Sequence, residues 1–187
     1  CGFLLYNVNV KEGLGILNLS NNKITVNEGP VFLVTNTQDA AINLTGNKIK
    51  SKDGELLSVR ADDWGEKGRN GGHVSMFVGK QSLTGDISVD SISGLYLELK
   101  GGSKLTGQIN ARENRCATVQ VKLNAKSTWV SKGDSYLTSI VFEQPVEKAV
   151  KILKGKHTIY YDPSDPANAP LGGKEYKTGG GRLCPLK

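Results

Sequence analysis

Long apolar runs are absent from this sequence. No segment approaches the roughly 20 consecutive apolar residues that a membrane-spanning helix needs, because Asn, Lys or Gly soon interrupts each run. Aromatic residues make up only 6% of the chain, charged residues 22% and apolar residues 37%. This balance argues against a disordered chain, a collagen and a coiled coil. With 187 residues and 23 glycines, the composition predicts one soluble, turn-rich domain with a core of its own.

Methionine, cysteine and histidine are also scarce. Methionine occurs once, at Met76, while Cys1 stands first, so we expect the chain to be a piece of a longer protein. The cysteines form no CxxC pair or Cys/His cluster, which argues against zinc and thioredoxin-type chemistry. A nucleophilic pair of Cys116 and His73 would require the fold to bring them together. We therefore expect no catalytic constellation, no metal site and no cofactor.

The net charge of +6 is unevenly distributed along the chain. From Pro145 onward there are eight basic and four acidic residues, a net charge of +4. The only aromatic residues in this basic segment are Tyr160, Tyr161 and Tyr176. It therefore lacks the aromatic platform on which nucleic-acid bases stack. We expect a solvated surface and no nucleic-acid partner.

A repeated unit of strand, bend and short strand runs through the chain. It is clearest in residues 95–107 (LYLELKGGSKLTG), where apolar residues alternate before a polar turn and Leu105 follows the turn. Four further copies are residues 17–26, 42–49, 74–85 and 119–129. The apolar residues that follow the five turns, spaced by 25, 34, 22 and 24 positions, are Ile24, Ile49, Leu83, Leu105 and Trp129.

This period predicts an all-β fold, a right-handed single-stranded parallel β-helix of about five coils with three faces. The expected third-face strands are Val31–Val34, Leu56–Val59, Ile87–Val89 and Tyr136–Ile140. Period-two alternation predicts which side chains point outward, namely Glu98, Lys100 and Lys122. It predicts one continuous core from Ile42, Leu44, Leu97, Leu99, Leu105, Val121 and Leu123. Small polar residues at the turns are expected to form ladders between coils.

The spacing of 34 places an insertion at residues 61–72, ADDWGEKGRNGG. Insertions in repeat proteins commonly lie on the binding face, so this loop supplies the candidate ligand-binding residues. They are Asp62, Asp63, Trp64, Arg69 and Asn70. One hypothesis is a Trp-centred contact with a sugar or a protein partner. The other, which we favour, is that Trp64 anchors the loop against the flank of the repeat array.

A polysaccharide lyase or hydrolase is the alternative function. Its acidic candidates are Asp62, Asp63, Asp86 and Asp90, with Arg60 and Arg69 as nearby basic residues. Asp86 and Asp90 would lie roughly 13 Å apart on an extended strand. That separation is too large for both to bind one calcium ion directly, since calcium needs several converging oxygens.

The pattern changes after residue 144. Residues 147–153 fit a short helix or an irregular strand, residues 157–161 alternate like a strand, and residues 174–183 resemble a strand pair. A repeat array needs its open end covered. We therefore divide the chain into coils at 1–144 and a C-terminal β cap at 145–187.

Several segments resemble a family of bacterial right-handed parallel β-helix proteins of unassigned function. They are EGPVFLVTNTQDAAINLTG (28–46), WGEKGRNGGHVSM (64–76), SLTGDISVDSISGLYLELKGGSKLTGQIN (82–110), GDSYLTSI (133–140) and TIYYDPSDPANAPLGGKEYKTGGGRLCPL (158–186). The resemblance implies the C-terminal half of such a protein, preceded by further coils, and export to the cell surface or the medium. It carries over no catalytic residues.

These observations predict a non-catalytic, surface-exposed or secreted scaffold, an adhesin-like interaction module that binds a cell-surface glycan or a protein. An enzyme should instead show a cleft with clustered carboxylates on an outer sheet. A scaffold should show ladders of Asn, Ser and Thr.

Overall fold

The computed structural model describes residues 1–8, 14–112 and 117–187. Its fold is all-β with parallel sheets. In chain order the strands are β1 (Phe3–Tyr6), β2 (Leu14–Ser20), β3 (Lys23–Val26), β4 (Phe32–Thr35), β5 (Thr37–Thr45), β6 (Lys48–Ser51), β7 (Glu55–Val59), β8 (Gly72–Gly79), β9 (Ser82–Thr84), β10 (Asp86–Val89), β11 (Gly94–Lys100), β12 (Lys104–Thr106), β13 (Thr118–Leu123), β14 (Thr128–Val130), β15 (Ser135–Leu137), β16 (Ser139–Phe142), β17 (Leu153–Lys154), β18 (Thr158–Tyr161), β19 (Tyr176–Lys177) and β20 (Arg182–Pro185).

The helical segments are short and lie near the C-terminus. Helix α1 (Val146–Ala149) leads directly into a 3-10 turn (Val150–Ile152), and a second 3-10 segment covers Pro166–Leu171. The Asp165 carboxylate caps the second segment by accepting a hydrogen bond from the Ala167 N–H at 2.9 Å. Among the residues described, no helix has the length and apolar character needed to cross a membrane.

The largest sheet has six parallel strands in the order β16-β13-β11-β8-β5-β2. Leu97 of β11 lies opposite Met76 of β8 and Val121 of β13, and all three side chains are buried. Their neighbours Tyr96 and Glu98 lie on the other face and are half-buried. The register therefore separates an apolar inner face from a mixed outer face.

A second row of strands begins with the sheet β1-β4-β7-β10. A parallel bridge joins Ile87 of β10 to Ile109, and the Tyr136 N–H donates to the Ile109 carbonyl at 3.2 Å. These contacts connect the row to the sheet β15-β18-β20-β19, in which β19 is antiparallel to β20.

Strand β6 contacts β9, so the pair β3-β6 lies next to the sheet β17-β14-β12-β9, and we call these two sheets the third row. Ile24 lies opposite Ile49, and Leu105 lies opposite both Leu83 and Trp129. The predicted equivalence of these turn-following residues is confirmed within each of the two sheets, because they occupy matching positions of paired strands.

The buried apolar side chains of these sheets form one continuous core. The predicted inward residues are at most 1% exposed: Ile42, Leu44, Leu97, Leu99, Leu105, Val121 and Leu123. On the outer face, Lys100 is exposed and the Lys122 ammonium lies 3.3 Å from the Glu98 carboxylate. The predicted alternation is confirmed across both the long and the short strands of the repeat.

One predicted third-face strand is wrong. Residues 136–140 do not form a single strand, because β15 and β16 belong to different sheets and Thr138 joins them. The Thr138 hydroxyl accepts a hydrogen bond from the Val119 N–H at 2.9 Å and donates one to the Ala117 carbonyl at 3.2 Å. These contacts hold a one-residue corner that apolar alternation does not reveal.

The strand rows continue beyond residue 145. Strand β17 pairs with β14, and β18 pairs with both β15 and β20. Tyr161 is buried and Tyr160 is half-buried, as expected from their adjacent positions in one strand. The boundary at 145 and the capping role of 145–187 stay predictions.

Candidate functional site

The insertion loop leaves the sheet after β7 and returns at β8. Its return is tight, because a Cβ at Gly71 would collide with the Ile92 carbonyl oxygen and one at Gly72 would lie 2.6 Å from the Val34 carbonyl oxygen. Only glycine fits such close approaches of backbone to backbone. The two glycines therefore determine where the loop rejoins the sheet.

Asn70 holds the two ends of this loop together. Its side chain is 5% exposed, and its Nδ2 donates to the Asp62 carbonyl oxygen at 2.6 Å. The Asn70 carbonyl accepts from the Asn36 N–H at 3.0 Å, which ties the loop to the corner between β4 and β5. These contacts give Asn70 a structural role.

Trp64 packs against the first strand of the second row. Its ring lies 4.8 Å from that of Tyr6, centroid to centroid, with the planes tilted by 43°. Trp64 is half-buried and Tyr6 is 41% exposed. The loop thus folds back onto the array, while part of the indole stays accessible.

The charged residues of the loop do not converge on one point. The Asp62 carboxylate pairs with Arg60 at 3.2 Å, and the exposed Arg69 pairs with Glu66 at 3.2 Å. Asp63 is exposed, and its N–H donates to the Asp62 carboxylate at 2.9 Å. Of the five predicted binding residues, the structure brings Asp62 into hydrogen-bond contact with Asp63 and Asn70. Ligand binding by the five stays a prediction.

Asp86 and Asp90 hold neighbouring strands together. The Asp86 carboxylate accepts from the Gln108 N–H at 2.8 Å, and the Asp90 carboxylate accepts from the Ala61 N–H at 2.7 Å. Over residues 1–8, 14–112 and 117–187, no group of three or more His, Cys, Asp and Glu side chains could hold a metal ion. Asp86 and Asp90, both considered for a calcium-dependent lyase, thus have structural partners.

The thiols lie in different surroundings. Cys1 is an exposed free cysteine and Cys184 is half-buried and free. Burial raises the pKa of the Cys184 thiol, and the nearby Glu175 raises it further. Cys116, considered above as a partner of His73, lies outside the described residues.

A cleft of about 600 Å³ lies on the outer face of the second row, beside the insertion loop. On its floor the Ser58 and Ser88 hydroxyls are 3.1 Å apart, and Ser88 donates to the Glu55 carboxylate at 2.7 Å. Arg60 and Arg112 also line it. The cleft combines hydroxyl, carboxylate and guanidinium groups. Of the residues that line it, the sequence analysis had named Arg60 and Asp90 as candidates for a lyase or hydrolase site.

The outer face of the six-stranded sheet carries an aromatic pair that the sequence analysis missed. The rings of Phe77 and Tyr96 are 5.9 Å apart and tilted by 58°, and the Lys100 ammonium lies 5.7 Å from the centre of the Phe77 ring. Burial raises the pKa of Tyr96, with a further contribution from Glu98. A hydrogen bond from Lys122 to Glu98 raises the pKa of Lys122. Alignment of the repeats places Phe77 and Tyr96 on the same face of the sheet. That alignment was the sequence signal from which the aromatic pair could have been predicted.

Beside Tyr96 is a shallow pocket of about 220 Å³ that crosses four strands. Its polar lining comes from β5, β8, β11 and β13, through Gln38, Asp39, His73, Ser75, Tyr96, Thr118 and Gln120. These residues are distant in sequence and meet only because the strands are in register. The pocket is a further candidate binding surface, besides the insertion loop and the cleft beside it.

Comparisons with known proteins identify no relative. No family model matches the chain, no curated protein matches it, and no solved structure matches it. The resemblance to bacterial β-helix proteins therefore stays a prediction from the sequence.

Proposed function

We propose that the chain is part of a right-handed parallel β-helix that serves as a non-catalytic scaffold, an adhesin-like interaction module at the cell surface or in the medium. The parallel pairing of equivalent repeat residues supports the architecture, since Leu105 pairs with both Leu83 and Trp129. The strand rows and single core agree with coils that bury their side chains by stacking.

The observation that carries this proposal is a set of polar ladders between equivalent positions. The Asn47 carboxamide accepts from the Asn22 N–H at 2.9 Å and donates to the Gln81 side chain at 3.0 Å. On the outer face of the large sheet, Asn43 donates to Asn18 at 2.8 Å. Such ladders satisfy polar groups of one coil with those of the next, so these side chains stabilise the stack.

Export to the surface or the medium rests on the family resemblance. In the proposed protein, residues 145–187 cap the array and the faces remain available for contact with a glycan or a protein. A long parallel scaffold suits this role because its outward residues vary without disturbing the core.

The cleft beside the insertion loop favours polysaccharide cleavage as a second candidate. Glu55 and Arg60 line it together, a carboxylate and a guanidinium on one outer face. The scaffold is preferred because Asp90, the other carboxylate in the cleft, accepts hydrogen bonds from the backbone N–H groups of Ala61 and Ile92.

Product formation distinguishes the two functions. The purified chain is incubated with polygalacturonate and with neutral galactomannan, with and without calcium, while reducing ends and unsaturated uronate absorbance are followed. A pectate lyase and a mannanase serve as positive controls. We expect no product from either polymer. Product formation that Glu55→Gln abolishes, with folding retained by circular dichroism, would replace the scaffold proposal with the enzyme.

A further inference from the structure

The pocket beside Tyr96 has the composition of a small carbohydrate site. It presents an aromatic ring together with the carboxamides of Gln38 and Gln120 and the hydroxyl of Ser75. Sugar rings combine an apolar face, which stacks on aromatic rings, with hydroxyls that both donate and accept hydrogen bonds. An aromatic surface beside carboxamides can satisfy both requirements at once.

We propose that this pocket binds one pyranose residue of a neutral glycan, with Tyr96 as the stacking surface and Gln120 as a hydrogen-bonding partner. The inference rests on the proposed scaffold function and names the ligand class and the surface that scaffold would use. Tyr96 and Gln120 lie directly opposite each other on β11 and β13. Directly opposed side chains on a sheet have Cβ atoms about 5 Å apart, so both can contact one sugar ring.

His73 supplies a further polar group whose position is constrained. It lies opposite Gly94, and a Cβ at Gly94 would be 2.8 Å from the imidazole Cδ2. The absence of a side chain at Gly94 therefore provides the space that the ring occupies. The His73 Nδ1 is buried without a hydrogen-bond partner.

The charges around the pocket favour a neutral ligand over a uronate or a sulfated sugar. Among the described residues that line it, Asp39 is the charged side chain, and neither lysine nor arginine contributes. Two described lysines of the same sheet face have other partners, since Lys122 pairs with Glu98 at 3.3 Å and Lys100 lies over Phe77. An anionic sugar would meet the Asp39 carboxylate without a compensating cation in the lining.

Affinity electrophoresis tests the site directly. The full chain is run through native gels containing galactomannan, xyloglucan or mixed-linkage β-glucan, with polygalacturonate as the anionic comparator. We expect at least one neutral polymer to retard the wild type, and Tyr96→Ala to weaken that binding by about tenfold or more. Gln120→Ala, a smaller change at the pocket rim, should also weaken it. Tyr160→Ala is the matched control, because Tyr160 stacks on Tyr136 in a different sheet, and it should bind like the wild type.

Several outcomes would overturn the proposal. They are absence of retardation by all neutral polymers, retardation by polygalacturonate alone, affinities of Tyr96→Ala and Gln120→Ala within about twofold of the wild type, or an equal loss in Tyr160→Ala. Thermal melts establish which variants are folded, and Gln120→Ala decides the result if Tyr96→Ala does not fold. None of these outcomes contradicts the scaffold function, which fails instead on release of products.

Discussion

Trp64 rests on Tyr6, with ring centroids 4.8 Å apart. This contact joins the insertion loop to the first strand of the chain, across the edge of the second row. The anchoring role of Trp64 stays a prediction, because the indole is only half-buried. The two tryptophans of the chain therefore differ in environment, because Trp129 is fully buried and its Nε1–H donates to the Gly107 carbonyl at 2.9 Å.

This difference predicts unequal costs of removing each ring. Trp64→Ala should lower the free energy of unfolding by about 1–2 kcal/mol, since the half-exposed ring loses only part of its burial. Trp129→Ala should cost about 3–5 kcal/mol, because it leaves a cavity and an unpaired carbonyl. Urea denaturation followed by circular dichroism measures both. Equal costs for the two variants would show that the Trp64 ring is as well packed as a core residue.

Core and surface positions of β11 should respond differently to truncation. Leu97→Ala should cost roughly 2–5 kcal/mol, because Leu97 is fully buried. Lys100→Ala should change stability by less than about 0.5 kcal/mol, since the ammonium is exposed and its contact with Phe77 is weak. Denaturant titration of both variants checks the alternation. A large loss in Lys100→Ala would contradict the outward position of this residue.

The buried ladder at Asn47 should contribute more than the exposed ladder at Asn43. Asn47 is 3% exposed and also donates to the Leu19 carbonyl at 2.8 Å. Asn47→Ala should cost about 1–3 kcal/mol, because partners of its carboxamide lose hydrogen bonds in a buried site. Asn43→Ala should cost less than about 0.5 kcal/mol, since water replaces its bond to Asn18. Thermal and urea unfolding of the pair measure the difference, and similar losses would show that burial does not control the ladder energy.

Cys184 should react slowly with alkylating agents. Its raised pKa lowers the thiolate fraction at a given pH, and the thiolate is the reactive form. Stability associated with this shift is complete below the pKa of the unfolded thiol and is lost as pH rises through the pKa of the folded one. Iodoacetamide labelling at a series of pH values, read by peptide mass spectrometry, should modify Cys1 before Cys184.

Glu175→Gln should accelerate labelling of Cys184 at a given pH. Glu175 contributes to the raised pKa of the thiol, whereas Arg182, its partner at 3.3 Å, lowers it. Removing the carboxylate leaves the arginine as the nearby charge, so the pKa of Cys184 falls. Glu66→Gln, in the insertion loop, is the control and should label like the wild type. Unchanged labelling in Glu175→Gln would exclude this electrostatic effect.

The all-β class and much of the strand register followed from local pattern. Period-two alternation predicted that Leu97 faces inward and Glu98 outward, and the spacing between turns predicted that Leu105 and Trp129 occupy equivalent positions. Both inferences succeed for the same physical reason. An apolar side chain must leave water at every second position of a one-sided strand, and stacked repeats bury equivalent residues together.

The contacts outside the core depend on how the chain folds in three dimensions, and the sequence pattern did not predict them. No local pattern distinguishes the corner at Thr138 from a continuing strand, because its hydrogen bonds reach residues of an earlier strand. The packing of Trp64 on Tyr6 likewise depends on the path of an inserted loop. Outward side chains do not have to leave water, so apolar alternation does not predict which residues they contact. Those contacts depend on the register of the strands.

Local sequence pattern therefore predicted the alternation, the repeat length and the position of the insertion, because hydrophobic burial imposes these features on local segments. The sequence did not predict that His73, Tyr96 and Gln120 line one pocket, or that the Asp90 carboxylate accepts a hydrogen bond from the Ala61 N–H. The physical reason is that each polar contact joins strands distant in sequence. Its distance and geometry exist only after the core has brought those strands into register.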